Sequence, residues 1–209
     1  RNLSMNTMGG AVVMNGYYST TDIEKPELNA AFKMSNLSFA QTYKELNMVR
    51  QMAPIFENLK GNFSGNVSVQ TLLNGEMSPV FETMQGNGSL STTDLSLSEV
   101  EIINKIADAV GKAELKDITV KDMAIDFTIK DGRVETKPFD IKWKDYNLNL
   151  SGSTGLDQSI AYAGKIALPA STGVGKYTTL DLKIGGSFTS PKVSVDMESM
   201  AKQAVDVVK

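Results

Sequence analysis

From Met123 onward, apolar and polar side chains alternate with a period of two. Met123, Ile125, Phe127 and Ile129 fall on one side with Asp126 and Thr128 between them; Phe139, Ile141 and Trp143 follow, then Leu148 and Leu150. Successive side chains of a β-strand point to opposite faces, so each run predicts a strand with one apolar face. Asp131-Gly132 separates the first two runs, and that pair accepts the positive φ that a type I′ hairpin turn requires at both central positions. Lys144-Asp145 makes the next reversal. The alternation continues at Ile160, Tyr162, Ile166 and Leu168, at Leu180, Leu182 and Ile184, and at Val193, Val195 and Met197. Weaker runs precede it at Val12 and Met14, at Leu28 to Met34, at Val67 and Val69, and at Leu90, Leu95 and Leu97. About nine or ten strands joined mainly by short turns predict a meandering antiparallel sheet.

Helical spacing interrupts the first half. Ser38 and Gln41 form a capping-box pair, and Phe39, Tyr43, Leu46 and Val49 make a stripe behind it; Pro54 limits this helix to about 39–52, with a short one at about 54–59 ended by Gly61. Ser98 and Glu101 form a second such pair ahead of Val100, Ile103, Ala107 and Val110, with Gly111 as the stop. Ser78-Pro79 reads as the start of a short helix to about Met84. The fold class expected is α+β and mainly β: a strongly curved antiparallel meander whose apolar concave face carries about three internal helices. Three segments are expected on this basis: 1–27 as the tail of a preceding β segment, 28–197 as one sheet and helix domain, and 198–209 as a helical tail.

With 209 residues the chain is long enough for a sizeable core, and 41% hydrophobic with 22% charged residues is ordinary globular composition. The formal net charge of −3 and the scattering of 21 Lys and Arg residues give no field for phosphates, so nucleic acid is not an expected partner. No apolar run approaches the 18 or so residues of a membrane-spanning helix. The chain opens at Arg1 without a signal pattern and is expected to be a mature form or part of a longer protein.

Cys and His are both absent. That removes disulfides, thiolates, Ser-His and Cys-His triads and the commonest metal ligands, leaving carboxylates, Lys, Tyr or Ser-Lys for any enzymatic chemistry. Asp122, Asp126 and Asp140 sit on polar strand faces with Lys130, Lys142 and Lys144 nearby, the pattern of cross-strand ion pairs. The glycines at 152–155 and 173–175 lack the Lys-Ser/Thr ending of a phosphate loop and read as turns. No catalytic, metal or cofactor site is assigned, and an enzyme is not expected. The candidate site is the apolar face itself, at Phe127, Ile129, Phe139, Ile141, Trp143, Leu148 and Leu150. Eleven methionines suit an adaptable apolar lining as well as a gap-filled core, so the face is open to two readings, a groove for a hydrocarbon chain or a packed interior.

Three stretches, FAQTYKELNMVRQMAPIFENLKGNFSGNVSVQ, MQGNGSLSTTDLSLSEVEIINKIADAV and FTIKDGRVETKPFDIKWKDYNLNLSGSTGLDQSIAYAGKIAL with its closing GGSFTSPKVSVD, resemble in their order the C-terminal region of the AsmA family. The resemblance covers most of residues 28–197. It implies a non-enzymatic periplasmic protein tethered by an N-terminal segment and involved in outer-membrane biogenesis. It also implies phospholipid or membrane and other envelope proteins as partners, and an apolar β-sheet groove that handles acyl chains. The rival expectation is a structural or protein-interaction module with a full core and no ligand.

Overall fold

The computed structural model describes residues 2–116, 118–169 and 177–196. Its frame is one antiparallel sheet of eleven strands whose spatial order is their order in the chain. These are β1 (Leu3–Thr7), β2 (Gly10–Ser19), β3 (Glu27–Ser38), β4 (Leu59–Leu72), β5 (Gln85–Leu97), β6 (Ile118–Lys130), β7 (Arg133–Trp143), β8 (Tyr146–Gly155), β9 (Ile160–Pro169), β10 (Tyr177–Gly186) and β11 (Pro191–Asp196). Residues 3–7 and 10–19 thus belong to the same sheet as the other nine strands, β2 pairing with β3 from Ala11↔Ser35 to Ser19↔Glu27. The expected helical tail at 198–209 and the glycines at 173–175 lie outside the described residues.

Local chemistry sets the turns. Asp131 (φ 50°) and Gly132 (φ 70°) adopt the left-handed pair that the hairpin between β6 and β7 requires. Lys144 (φ 48°) turns β7 into β8, with Trp143 opposite Tyr146. In β5, Asp94 is at φ 51° opposite the irregularity around Gly61 in β4. This slip changes the alternation, so that Leu90 and Thr92 before it, and Leu95 and Leu97 after it, all reach the same face. Gly61 therefore ends no helix; its φ of 109° serves the bulge.

Among the described residues there are three α-helices: α1 (Phe39–Glu45), α2 (Asn47–Met52) and α3 (Glu101–Val110). The single helix expected over 39–52 is divided at Leu46, whose backbone is extended. At the division the Arg50 guanidinium donates to the carbonyls of Tyr43 and Lys44, which an unbroken helix would have used internally. Ser38 accepts the Gln41 amide at 3.4 Å, the hydroxyl half of the expected cap. The Ser98–Glu101 cap does not form. Glu99 instead turns at φ 59° and Val100, buried in the core, is the residue ahead of α3, so apolar anchoring fixes that helix start. The segment expected to be helical from Ser78 to Met84 keeps one 3-10 turn, Phe81–Thr83, because Asn74 takes the amides of Glu76 and Ser78 in a loop that bridges Leu73 to Pro79.

The core lies on one face of the sheet. Cross-strand rows such as Ile141–Leu148–Ile166–Leu180 and Leu150–Gly164–Leu182–Val195 bring the alternating apolar residues together there. Leu148, Ile166 and Leu180 are wholly buried. α3 adds Ile103, Ile106 and Ala107 to the same cluster, and Phe39, Phe56 and Phe63 form an aromatic trio with centroids 4.8–5.6 Å apart that ties α1 and the 3-10 turn Pro54–Asn58 to β4.

One register is incomplete. β6 pairs with β7 over four residue pairs only, from Lys130↔Arg133 to Phe127↔Thr136. Beyond that fork, residues 118–126 stay bonded to β5 and residues 139–143 to β8, and the two strands run on as neighbours without pairing to each other. An extra residue in β7 between Thr136 and Phe139, where Pro138 has no amide to donate, accompanies the break.

Candidate functional site

The apolar face and the helices do not close completely on each other. Between α1, the 3-10 turn after it and α3 on one side, and β5 to β10 on the other, lies a cavity of about 300 Å³. Phe39, Phe56, Ile103 and Ile106 line it from the helices and the turn. Leu90, Leu95, Met123 and Ile125 come from β5 and β6, and Phe139, Ile141, Leu148 and Leu150 from β7 and β8. Among the described residues its walls carry no ionisable group other than the Tyr162 phenol. An apolar cavity of about 150 Å³ holds one benzene ring, so this one has room for about a dozen carbon atoms.

The polar atoms along the wall are nearly all spoken for. The Thr154 hydroxyl and the Tyr162 phenol share a hydrogen bond of 3.0 Å, and the Thr136 hydroxyl donates to the Gly152 carbonyl at 3.2 Å. Thr92 differs: its residue is only 5% exposed, and its hydroxyl has no partner among the described residues. A buried hydroxyl without a partner costs free energy that a guest with a hydrogen-bonding end recovers.

On the opposite side of the sheet, at the fork of β6 and β7, lies a second hollow of about 360 Å³. Asn66 and Ser68 of β4, Asn87, Gly88 and Ser89 of β5, Asp126, Phe127 and Thr128 of β6 and Lys137 of β7 line it. Asp126 and Lys137 face each other at 3.9 Å across the fork, both exposed. Their chain neighbours Ile125 and Thr136 line the apolar cavity. The two spaces therefore stand back to back on either side of the same break in pairing, the inner one apolar and the outer one mixed, with charged and amide side chains around Phe127.

Of the face residues expected from sequence, Phe139, Ile141, Leu148 and Leu150 meet at the cavity wall. Trp143 lies beside it in the core, stacked on Tyr146 at 5.6 Å, with its indole N–H buried and without a hydrogen-bond partner among the described residues. Ile129 is buried near the hairpin end, opposite Val134. Phe127 is half-buried and its ring leans over Gly88, where a Cβ would come within 2.5 Å of it. The helical wall is only half readable from the residues: Phe39 and Ile103 belong to recognisable stripes, but what those stripes cover is decided by tertiary contact. Thr92 gives no sequence signal, since it reads as one of several Thr and Ser residues in β5.

The acidic candidates do not converge. Asp122, Asp126 and Asp140 are exposed; Asp140 accepts hydrogen bonds from the Asn149 amide at 2.9 Å and the Asn147 amide at 3.4 Å. Lys142 lies 3.9 Å from Asp140, two residues along its own strand, and such exposed pairs contribute little. Among the described residues no three His, Cys, Asp or Glu side chains gather as a metal site would need. The perturbed groups sit at the periphery. Glu114 is held below the usual carboxylate range by a backbone amide and then by the Tyr146 hydroxyl, which donates to it at 2.9 Å; desolvation and then that carboxylate raise the Tyr146 phenol.

Comparison with protein-family models, with curated proteins and with solved structures finds no match to this chain.

Proposed function

We propose that the protein is a non-enzymatic carrier of a single acyl chain, such as one tail of a phospholipid, held between α3 and a strongly curved sheet. The carrying observation is the 300 Å³ cavity, walled by aliphatic and aromatic side chains and free of charge. Interiors pack to the density of organic crystals, so a space of this size inside a 209-residue chain argues against a module whose core is merely structural. Curvature is supported by α3. That helix follows β5, yet Lys105 donates to the Pro191 carbonyl of β11 at 2.8 Å. In a flat sheet, β11 would be roughly 29 Å from β5 across six strand spacings, whereas a helix of this length spans about 15 Å. On this reading the helices occupy the concave side and the guest lies beneath them. Placement in the periplasm, with envelope proteins as neighbours and a role in outer-membrane biogenesis, rests on the sequence resemblance alone.

A dozen buried carbons gain roughly 0.8 kcal/mol each, and much of that is offset by lost chain and molecular freedom. A single myristoyl chain in a bilayer reaches about 10⁴ M⁻¹, so a dissociation constant on the order of 10⁻⁴ M is expected here. Native mass spectrometry of protein purified from membranes, and titration with 12-bromododecanoate read through quenching of Trp143, the only tryptophan, test the proposal. Saturable quenching with one guest per chain supports it; flat fluorescence together with protein that carries no lipid adduct sinks it.

A further inference from the structure

We infer that the break between β6 and β7 is the portal through which the acyl chain enters, its polar end remaining in the outer hollow. The inference rests on the carrier reading above. A hydrocarbon can cross a sheet only where backbone hydrogen bonds do not bar the way, because opening a paired ladder strands buried donors and acceptors. Among the described strand neighbours, β6 and β7 are the pair whose ladder stops after four residue pairs while both strands continue. Parting them beyond the fork breaks apolar contacts and one exposed ion pair, Asp126–Lys137, and no ladder bond.

Chemistry on the two sides of the break matches an amphiphile. Inward, Ile125 and Phe139 open directly on the apolar cavity. Outward, Lys137, Asp126, Asn87 and Ser89 offer both charges, amides and hydroxyls to a polar end group. A guest threaded between the strands would be apolar where it meets the first set and polar where it meets the second, without burying a charge. The occupant class is therefore a single-chain amphiphile with a compact polar head.

The absence of cysteine makes the test clean. Counting along both strands from Phe127 opposite Thr136, with the extra residue of β7 allowed for, puts Asp122 across from Lys142, and both are exposed. The double variant D122C/K142C, joined by a short bis-maleimide, would staple the break. Stopped-flow quenching of Trp143 by 12-bromododecanoate should be at least tenfold slower in the stapled protein than in the same variant left open. The end-point quenching should stay equal in the two. A second pair, K165C/D181C, staples the paired strands β9 and β10 where Lys165 lies opposite Asp181, and should leave the rate unchanged. Equal rates for stapled and open D122C/K142C overturn the portal while leaving the carrier intact. Equal slowing by both staples overturns it too, because rigidity would then be the cause. Absence of quenching in every form removes the carrier reading and the portal with it.

Discussion

Thr92 and Gly88 sit four residues apart in one strand and carry opposite liabilities. The Thr92 hydroxyl is buried against the cavity without a partner among the described residues, so Thr92→Val removes a desolvated polar group while keeping the side chain's shape. Denaturant unfolding should show a gain of about 1 kcal/mol, provided the protein is stripped of guest. Gly88→Ala should do the reverse. The added methyl would meet the Phe127 ring at 2.5 Å and the Asn66 carbonyl oxygen at 2.7 Å, and the backbone oxygen cannot retreat without breaking the ladder. A loss of about 1–3 kcal/mol is expected. Proton linkage adds a third residue-scale prediction. Asp157 is held below the usual carboxylate range by the Ser159 hydroxyl, then by the Ser159 amide at 3.0 Å and, more weakly, by Arg133. A depressed carboxyl stabilises the fold above its unfolded value and loses that contribution as pH falls through the folded one. Acidification below about pH 4 should thus lower the amide protection factors, each rate taken relative to its intrinsic value at that pH, first at the turn between β8 and β9, followed by NMR.

Among the elements, α3 has the most to answer for, since it joins the middle of the sheet to its last strand. Gly111 ends it at φ 66°, and no atom within 4 Å would oppose a Cβ there, so Gly111→Ala isolates the backbone cost of the left-handed cap. About 1 kcal/mol is expected from thermal unfolding, with Gly111→Asn costing less. The strands were the most legible elements. Alternation locates β6 to β10 because each is half-buried, and Asp131-Gly132 and Lys144-Asp145 mark their turns by residue type alone. The helices were legible as stripes but not in their boundaries: the break at Leu46 comes with backbone carbonyls turned to the Arg50 side chain, and α3 starts where Val100 is buried, and neither contact can be read from local sequence. Phe139, Ile141, Leu148 and Leu150 line the cavity, whereas Ile129 and Trp143 lie beyond its wall and Phe127 borders the outer hollow. Alternation does not show the break between β6 and β7, since a strand that has lost one partner keeps the same alternation as a strand with two; Pro138 is the one residue type that marks it.

At the scale of the whole molecule, the apolar face extends further than its cover. Leu3 (51% exposed) and Met5 (44%) continue in register into Met14 and Val12, then Phe32 and Met34, on strands that α3 does not reach. The half from β5 to β11 holds most of the buried core, and Leu148→Ala there, at a residue with no exposed surface, should cost about 2–5 kcal/mol by denaturant unfolding. The half from β1 to β4 has less apolar burial, so hydrogen exchange should be fastest in β1 and β2 and slowest in β8 to β10.

Among the described residues, each strand's backbone ladders run only to the strands just before and just after it in the chain, and the two outermost described strands are also the first and the last. A molecule tethered at its ends in an optical trap would therefore come apart as a zipper does. Each outer strand would peel away bond by bond, giving a staircase of small extensions in place of one rupture. The order of the steps would read out the order of the sequence.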